Sequence, residues 1–231
     1  MATPPKVNQS TVNQSKSDRS QINSNKVGQF IVLEGTEGVG KTTNLKFIED
    51  IIRDQNLELI VTREPGGTPL AEELREILLA PRNEKVVENA ELLLMFAARA
   101  QHFDSKIMPA LSSGKWVLCD RFTDATYAYQ GGGRGVDKSK IELLENLVQG
   151  RVRPDHIIIL DVDVEIGLKR AGQRGDLDRF EQENRSFFEN VREAYLERAT
   201  KEPHRYHLIN AAQPLKQVQA ELLETIKSII G

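Results

Sequence analysis

A chain of 231 residues with 39% hydrophobic and 28% charged residues carries enough apolar material for a full core, and one large domain is the expected arrangement. A formal net charge of −3 at pH 7 excludes a global basic field that would draw the protein to nucleic acid or to an anionic membrane, so phosphate binding has to be local. A single cysteine, Cys119, excludes a disulfide framework, and no apolar run approaches the ~18 residues of a membrane span; the expectation is a soluble, cytoplasmic protein that uses neither nucleic acid nor membrane.

Residues 1–27 are rich in Ser, Asn, Gln and Lys, lack aromatic residues and nearly repeat Val7-Asn8-Gln9-Ser10 as Val12-Asn13-Gln14-Ser15. Such a segment buries too little to order itself, which predicts a disordered tail ahead of a domain covering 28–231. Asn8 and Asn13 match the glycosylation pattern, but no secretory signal accompanies them.

The apolar run Phe30-Ile31-Val32-Leu33 then delivers Gly35-Thr36-Glu37-Gly38-Val39-Gly40-Lys41-Thr42, and an amphipathic segment follows. Strand, glycine loop and helix in that order form a phosphate cradle: backbone N–H groups cup the anion at the positive helix end. Lys41 reaches the β- and γ-phosphates of a nucleoside triphosphate, and the Thr42 hydroxyl is placed to ligate a magnesium ion that bridges them.

Beyond this loop, short β-branched runs alternate with longer helical patterns, the mark of a parallel sheet wrapped by helices. Strands are expected near 29–34, 57–62, 115–120, 156–161 and 205–210. Helices are expected over 41–54, 69–79, 87–112, 123–130, 138–149, 164–171, 181–201 and 214–229. The fold class is therefore α/β, a doubly wound five-stranded parallel sheet of the P-loop NTPase type with helices on both faces, and ligands belong beyond the carboxyl ends of its strands.

Each strand is followed by polar equipment. After the second comes Thr62-Arg63-Glu64-Pro65-Gly66-Gly67-Thr68, a sharp turn into a helix that contains Arg75. The apolar segment Glu91 to Phe103 holds Arg99, whose guanidinium has to meet an acid, a carbonyl or a ligand once buried. The third strand ends in Asp120-Arg121, a carboxylate for a magnesium shell and a clamp for phosphate. Thr126, Tyr129, Gln130 and the glycines from Gly131 to Gly135 add hydroxyls, an amide and flexible backbone. Arg170, Arg174 and Arg179 lie in a glycine-hinged stretch at about 170–180, which reads as a lid that closes on polyphosphate.

These motifs, in this order and spacing, resemble bacterial thymidylate kinase from about Gln29 to the C-terminus, joined by Leu177-Asp178-Arg179-Phe180-Glu181-Gln182-Glu183. The resemblance implies an enzyme that phosphorylates dTMP to dTDP with ATP and Mg2+ by direct in-line transfer, in dTTP synthesis, as a homodimer. It further implies that Glu37 accepts a hydrogen bond from the sugar 3′-hydroxyl and that Arg75 and Arg121 hold the dTMP phosphate. Arg99 would donate to thymine O4, with Pro65, Thr126 and Gln130 around the base and Tyr129 crowding the sugar 2′ position. The catalytic set is Lys41, Arg121 and the lid arginines Arg170, Arg174 and Arg179, because no basic residue stands between Thr36 and Val39. The family's thymine-stacking phenylalanine sits four residues before the base-reading arginine, where this chain has Met95. Phe96 lies three before Arg99, both offsets reach one helix face, and Phe96 is preferred for its flat ring. The rival readings are another P-loop nucleotide or deoxynucleoside kinase and a GTP-dependent switch, although no guanine-reading N-K-x-D segment occurs.

Overall fold

The computed structural model describes residues 28–172 and 178–231. The expected tail, 1–27, and the lid residues 173–177, Arg174 among them, lie outside the described residues.

Five parallel strands, β1 (Phe30–Glu34), β2 (Leu59–Arg63), β3 (Trp116–Asp120), β4 (His156–Asp161) and β5 (Tyr206–Asn210), form one sheet in the order β2-β3-β1-β4-β5. Every residue of β1 is buried, as a central strand covered on both faces requires, and this is why it reads as an unbroken apolar run. Alternate residues feed opposite cores. Ile31, Leu33, Ile158, Leu160 and Ile209 pack against Ile48 and Ile52 of α1 (Lys41–Asp54) and Leu222 and Ile226 of α9 (Leu215–Ile230). On the other face Phe30, Val32, Val117 and Cys119 meet Phe103, Ile107 and Phe122, while Ile157 and Ile159 meet α8 (Arg185–Lys201) through Phe187, Phe188 and Tyr195.

The helices follow their caps. Thr68 accepts from the Ala71 amide and Pro69 opens α2 (Pro69–Leu79); Asp137 accepts from the Ser139 amide ahead of α6 (Lys138–Gln149); Asp163 caps α7 (Val164–Ala171). α8 begins four residues later than its apolar pattern predicts. Its cap is Asn184, and Asp178 instead gathers the Phe180 and Glu181 amides into a turn ahead of it.

Two expected helices are interrupted by wider turns. The predicted 87–112 helix is α3 (Glu88–His102), a π-helical stretch Phe103–Ile107, and α4 (Met108–Ser112). Pro109 has no N–H to return to the preceding turn, and the wide turn falls just ahead of it. The predicted 123–130 helix is α5 (Thr123–Thr126) followed by π-helical Tyr127–Gly133, which delivers Tyr129 and Gln130 to the ends of the strands. Among the described residues no helix is long and apolar enough to cross a membrane.

Candidate active site

A cleft opens at the carboxyl ends of β1, β2 and β3, lined on one side by Glu37 to Thr42 and on the other by residues of α2, α3 and the π-helical stretch Tyr127–Gly133. The glycine loop fits its place because side chains are missing where it passes its neighbours: a Cβ on Gly38, at φ 72°, would fall 1.9 Å from the Gly167 carbonyl oxygen of α7, and one on Gly35 2.6 Å from that of Leu160. Lys41 opens α1 and turns back, donating from Nζ to the carbonyls of Gly35 and Thr36 at 3.1 Å each. Burial, with the Arg121 cation second, pulls its ammonium down to about 8, against the opposing pull of Glu37, Asp120 and Glu34.

Arg121 is the junction of the cleft. It occupies left-handed backbone at φ 64°, a conformation that a non-glycine residue holds only where its surroundings fix it. Its guanidinium donates to Glu37 Oε1 at 3.0 Å and to Tyr195 Oη at 3.3 Å, and lies 4.7 Å over the Tyr129 ring. Tyr129 Oη contacts both Glu37 oxygens, at 2.7 and 2.8 Å, and burial pushes its phenol far above the usual range, so it remains a donor. Tyr195 donates to Glu34 Oε2 at 2.7 Å while the Phe122 amide takes Oε1 at 2.8 Å. Burial first, then the neighbouring Asp124 charge, lifts the Glu34 carboxyl to about 7.

Arg99 meets an acid, a carbonyl and a hydroxyl. Nε donates to Glu64 Oε2 at 2.7 Å, and Nη2 donates to the Phe122 carbonyl at 3.1 Å and to Thr126 Oγ1 at 3.0 Å. Nη1 is buried with no partner. Arg75 donates to the Pro65 carbonyl at 2.9 Å, fixing the turn after β2 against α2. Gln130 lines the cleft, but its amide nitrogen is engaged with Glu91 Oε1 at 2.8 Å.

Lys41, Thr42, Pro65, Arg75, Arg99, Asp120, Arg121, Thr126, Tyr129 and Gln130 thus line one cleft, as their motifs anticipate, whereas Gly35 and Thr36 serve it through their carbonyls. Phe96 does not. It is Met95 that lines the cleft, while Phe96 turns into the seam with Leu92, Tyr127, Val136 and Ile141 and puts its ring 4.7 Å beneath the Arg99 guanidinium. One residue is a 100° step round a helix, and the four-residue spacing from Arg99 carries Met95 to the open side.

The lid arginines also separate. Arg170 donates to the Ala211 carbonyl at 2.8 Å, and Arg179 to the Leu78 carbonyl at 2.8 Å and Glu91 Oε2 at 2.7 Å. Neither lines the cleft: α7 turns Arg170 toward the loop after β5, and Glu91 draws Arg179 to α3. The motifs gave no role to Leu79, Ala125 and Phe180, which with Met95 form an apolar wall, to Asp178 and Glu181 at the rim, or to Glu64 with His102 behind Arg99. An acid inside the Thr62–Thr68 turn and a histidine one helical turn past Arg99 were the available signals for the last pair.

A divalent ion has a fitting place. Asp120 Oδ1 is buried with no hydrogen-bond partner, and Thr42 lines the same cleft. Among the described residues no group of three or more His, Cys, Asp or Glu could hold a metal, so an ion here has to draw its remaining ligands from phosphate and water, as magnesium does.

Residues 33–222 match the family model of thymidylate kinase. The chain is 59% identical over 203 residues to a thymidylate kinase of Teredinibacter turnerae, covering 88% of this chain and 99% of that one, and 57% identical over 203 residues to one of Pseudomonas entomophila, covering 88% and 97%. Its fold is similar to the crystal structure of thymidylate kinase from Ehrlichia chaffeensis, with TM-score 0.70 and 34% identity over 86% of this chain and 98% of that one.

Proposed function

The chain belongs to the thymidylate kinase family and phosphorylates dTMP with ATP, and from that premise we propose which residues do the work and how. ATP occupies the loop Gly35 to Thr42, with the backbone amides around its phosphates. Lys41 exchanges the carbonyls of Gly35 and Thr36 for the β- and γ-phosphates. Thr42 and Asp120 hold the magnesium ion, which when bound neutralises charge on those phosphates.

The acceptor lies across the cleft. Arg75 and Arg121 hold the dTMP phosphate, Glu37 accepts from the sugar 3′-hydroxyl, and Tyr129, already hydrogen-bonded to Glu37, closes the 2′ side against a ribose hydroxyl. Pro65, Thr126 and Gln130 surround the base, and Met95 supplies its apolar contact. Transfer is in line, without a covalent enzyme intermediate, and rests on positioning and on positive charge around the moving phosphoryl group.

The observation that carries the base assignment is the free Nη1 of Arg99. With Nε and Nη2 spent on protein acceptors, this nitrogen is the one left to meet an acceptor such as thymine O4. Cytosine presents a donor there, leaving two donors face to face at about 1–3 kcal/mol, or about 10- to 100-fold. A coupled ADP-release assay across dTMP, dUMP, dCMP, AMP and GMP should therefore find dTMP preferred, and faster turnover of dCMP would remove Arg99 from this role. Arg174 is assigned the lid's share of positive charge on the sequence pattern alone. An unchanged kcat in Arg174→Ala would withdraw it.

We also propose a homodimer formed through α3 and α6. Leu93 is 58% exposed, Leu143 69% and Leu147 75%, and an apolar surface of three leucines on two adjoining helices calls for a cover. Sedimentation of Leu143→Glu/Leu147→Glu should show monomers where the parent shows dimers. Equal sedimentation of the two would place the interface elsewhere. A cytoplasmic site of action fits the free, buried Cys119, and recovery of the protein in a periplasmic fraction would overturn it.

A further inference from the structure

Behind the base-reading arginine runs a chain of buried polar groups whose far members, Thr62 and His102, do not line the cleft. Thr62 Oγ1 lies 2.7 Å from His102 Nε2, His102 Nδ1 lies 2.9 Å from Glu64 Oε1, and Glu64 Oε2 receives Arg99 Nε at 2.7 Å. Thr62 comes from the end of β2, Glu64 from the turn after it, and Arg99 and His102 from one face of α3, three residues apart. The His102 and Glu64 side chains are 0% and 3% exposed, so neither is solvated by bulk water.

The chemistry fixes the direction of the bond to Glu64. A carboxylate accepts, so His102 Nδ1 carries the proton that faces Glu64, while the Thr62 hydroxyl, which can donate or accept, satisfies Nε2 on the other side of the ring. The ring itself cannot swing away. A Cβ on Gly67 would fall 2.5 Å from His102 Cδ2 and Nε2, which shows how closely the turn is pressed against it, and Lys106 Nζ holds the Gly67 carbonyl at 3.1 Å from the other side.

We propose that His102, braced by Thr62, is the positioning residue for base recognition: it locks the Glu64 carboxylate, which locks the Arg99 guanidinium with Nη1 turned out for the base. The geometry explains why the lock is needed. Arg99 lies between two rings, 4.7 Å from the Phe96 centroid and 5.2 Å from that of Phe122, and stacking alone leaves a guanidinium free to rotate in its own plane. The directed bonds at Nε and Nη2 remove that freedom, and Glu64 can hold Nε only while its other oxygen is occupied. Without His102, Oε1 is a buried acceptor with nothing to accept from, and the carboxylate is driven to rotate toward another donor.

This inference rests on the proposed pairing of Arg99 with the base, and the test separates the two. His102→Leu should raise the KM and the equilibrium Kd for dTMP about 10-fold and narrow the preference for dTMP over dCMP by a similar factor, with kcat and the KM for ATP within about 2-fold. His102→Asn, whose amide can still donate toward Glu64, should recover most of that loss, and Thr62→Val should show a smaller loss of the same kind. The decisive arm is His102→Leu in an Arg99→Ala background, where its effect on dTMP binding should vanish if it acts through Arg99. An equal loss in that background, or a fall in kcat with dTMP affinity intact, would overturn the positioning role. Arg99→Ala with unaltered base preference would instead overturn the base assignment itself. Should His102→Leu fail to fold, His102→Asn and Thr62→Val in the two backgrounds decide by the same criterion.

Discussion

Arg121→Ala should lower kcat/KM for dTMP by about 10³- to 10⁵-fold, the range seen when an arginine that stabilises a transferring phosphoryl group is removed. Arg121 stands between the glycine loop and the acceptor side, bound to Glu37, over Tyr129 and tied through Tyr195 to Glu34. Its removal takes away a clamp on phosphate and also leaves Glu37, whose side chain is 9% exposed, without its cation. Repulsion between that carboxylate and the incoming phosphates then adds to the loss. Arg121→Lys should recover little, because one ammonium cannot span Glu37, Tyr195 and a phosphate as the guanidinium fork does. Steady-state kinetics beside a thermal melt checks both variants. A loss below about 10-fold with an unaltered melt would remove Arg121 from the reaction.

The left-handed backbone of Arg121 is part of the same design. A non-glycine residue at φ 64° carries local strain, and here the strain turns the chain sharply at the end of β3, so that Asp120 and Arg121 can both face the cleft from adjacent positions. Nothing in the sequence announces that backbone. Asp120-Arg121 is legible as an acid and a base at the right end of a strand, but which way each points is decided by the turn.

The centre of the sheet was readable because its inner strands are buried on both faces, which leaves unbroken apolar runs such as Phe30 to Leu33 and Ile157 to Leu160 that no helix period explains. The glycine loop was readable for a different reason, since only glycine meets the approach of Gly38 to Gly167. Rotation about helix axes was not readable. Met95 and Phe96 differ by one step of a helix, and which of them meets the cleft depends on how α3 seats against α6. The contacts of Arg170 and Arg179 were hidden on the same ground: a loop composition places charge near the phosphates, and only the docking of α7 and the pull of Glu91 decide where the guanidinium groups go. The need of Arg99 for partners followed from burial alone; their identity required residues 35 positions back and 27 positions on to come together.

Lys41 should give the second large effect, with a pH signature of its own. Lys41→Ala is expected to lower kcat/KM for ATP by about 10²- to 10³-fold, the cost of deleting one preorganised donor to a charge that grows during transfer. In the free protein burial and the Arg121 cation hold the Lys41 ammonium down to about 8, so its charged form is lost as pH rises through that value, well before an exposed lysine would titrate. Bound nucleotide phosphates favour the charged form, and kcat/KM reports the free enzyme. The parent's kcat/KM for ATP should therefore decline above pH 8, to about one tenth by pH 9. In the ternary complex the phosphates raise the ammonium again, so kcat at saturating ATP should hold to higher pH. Lys41→Arg, charged throughout, should be weak but flat across the same range. A parent profile for kcat/KM that stays level to pH 9.5 would mean that Lys41 keeps its charge in the free cleft, and that Glu37, Asp120 and Glu34 outweigh burial there.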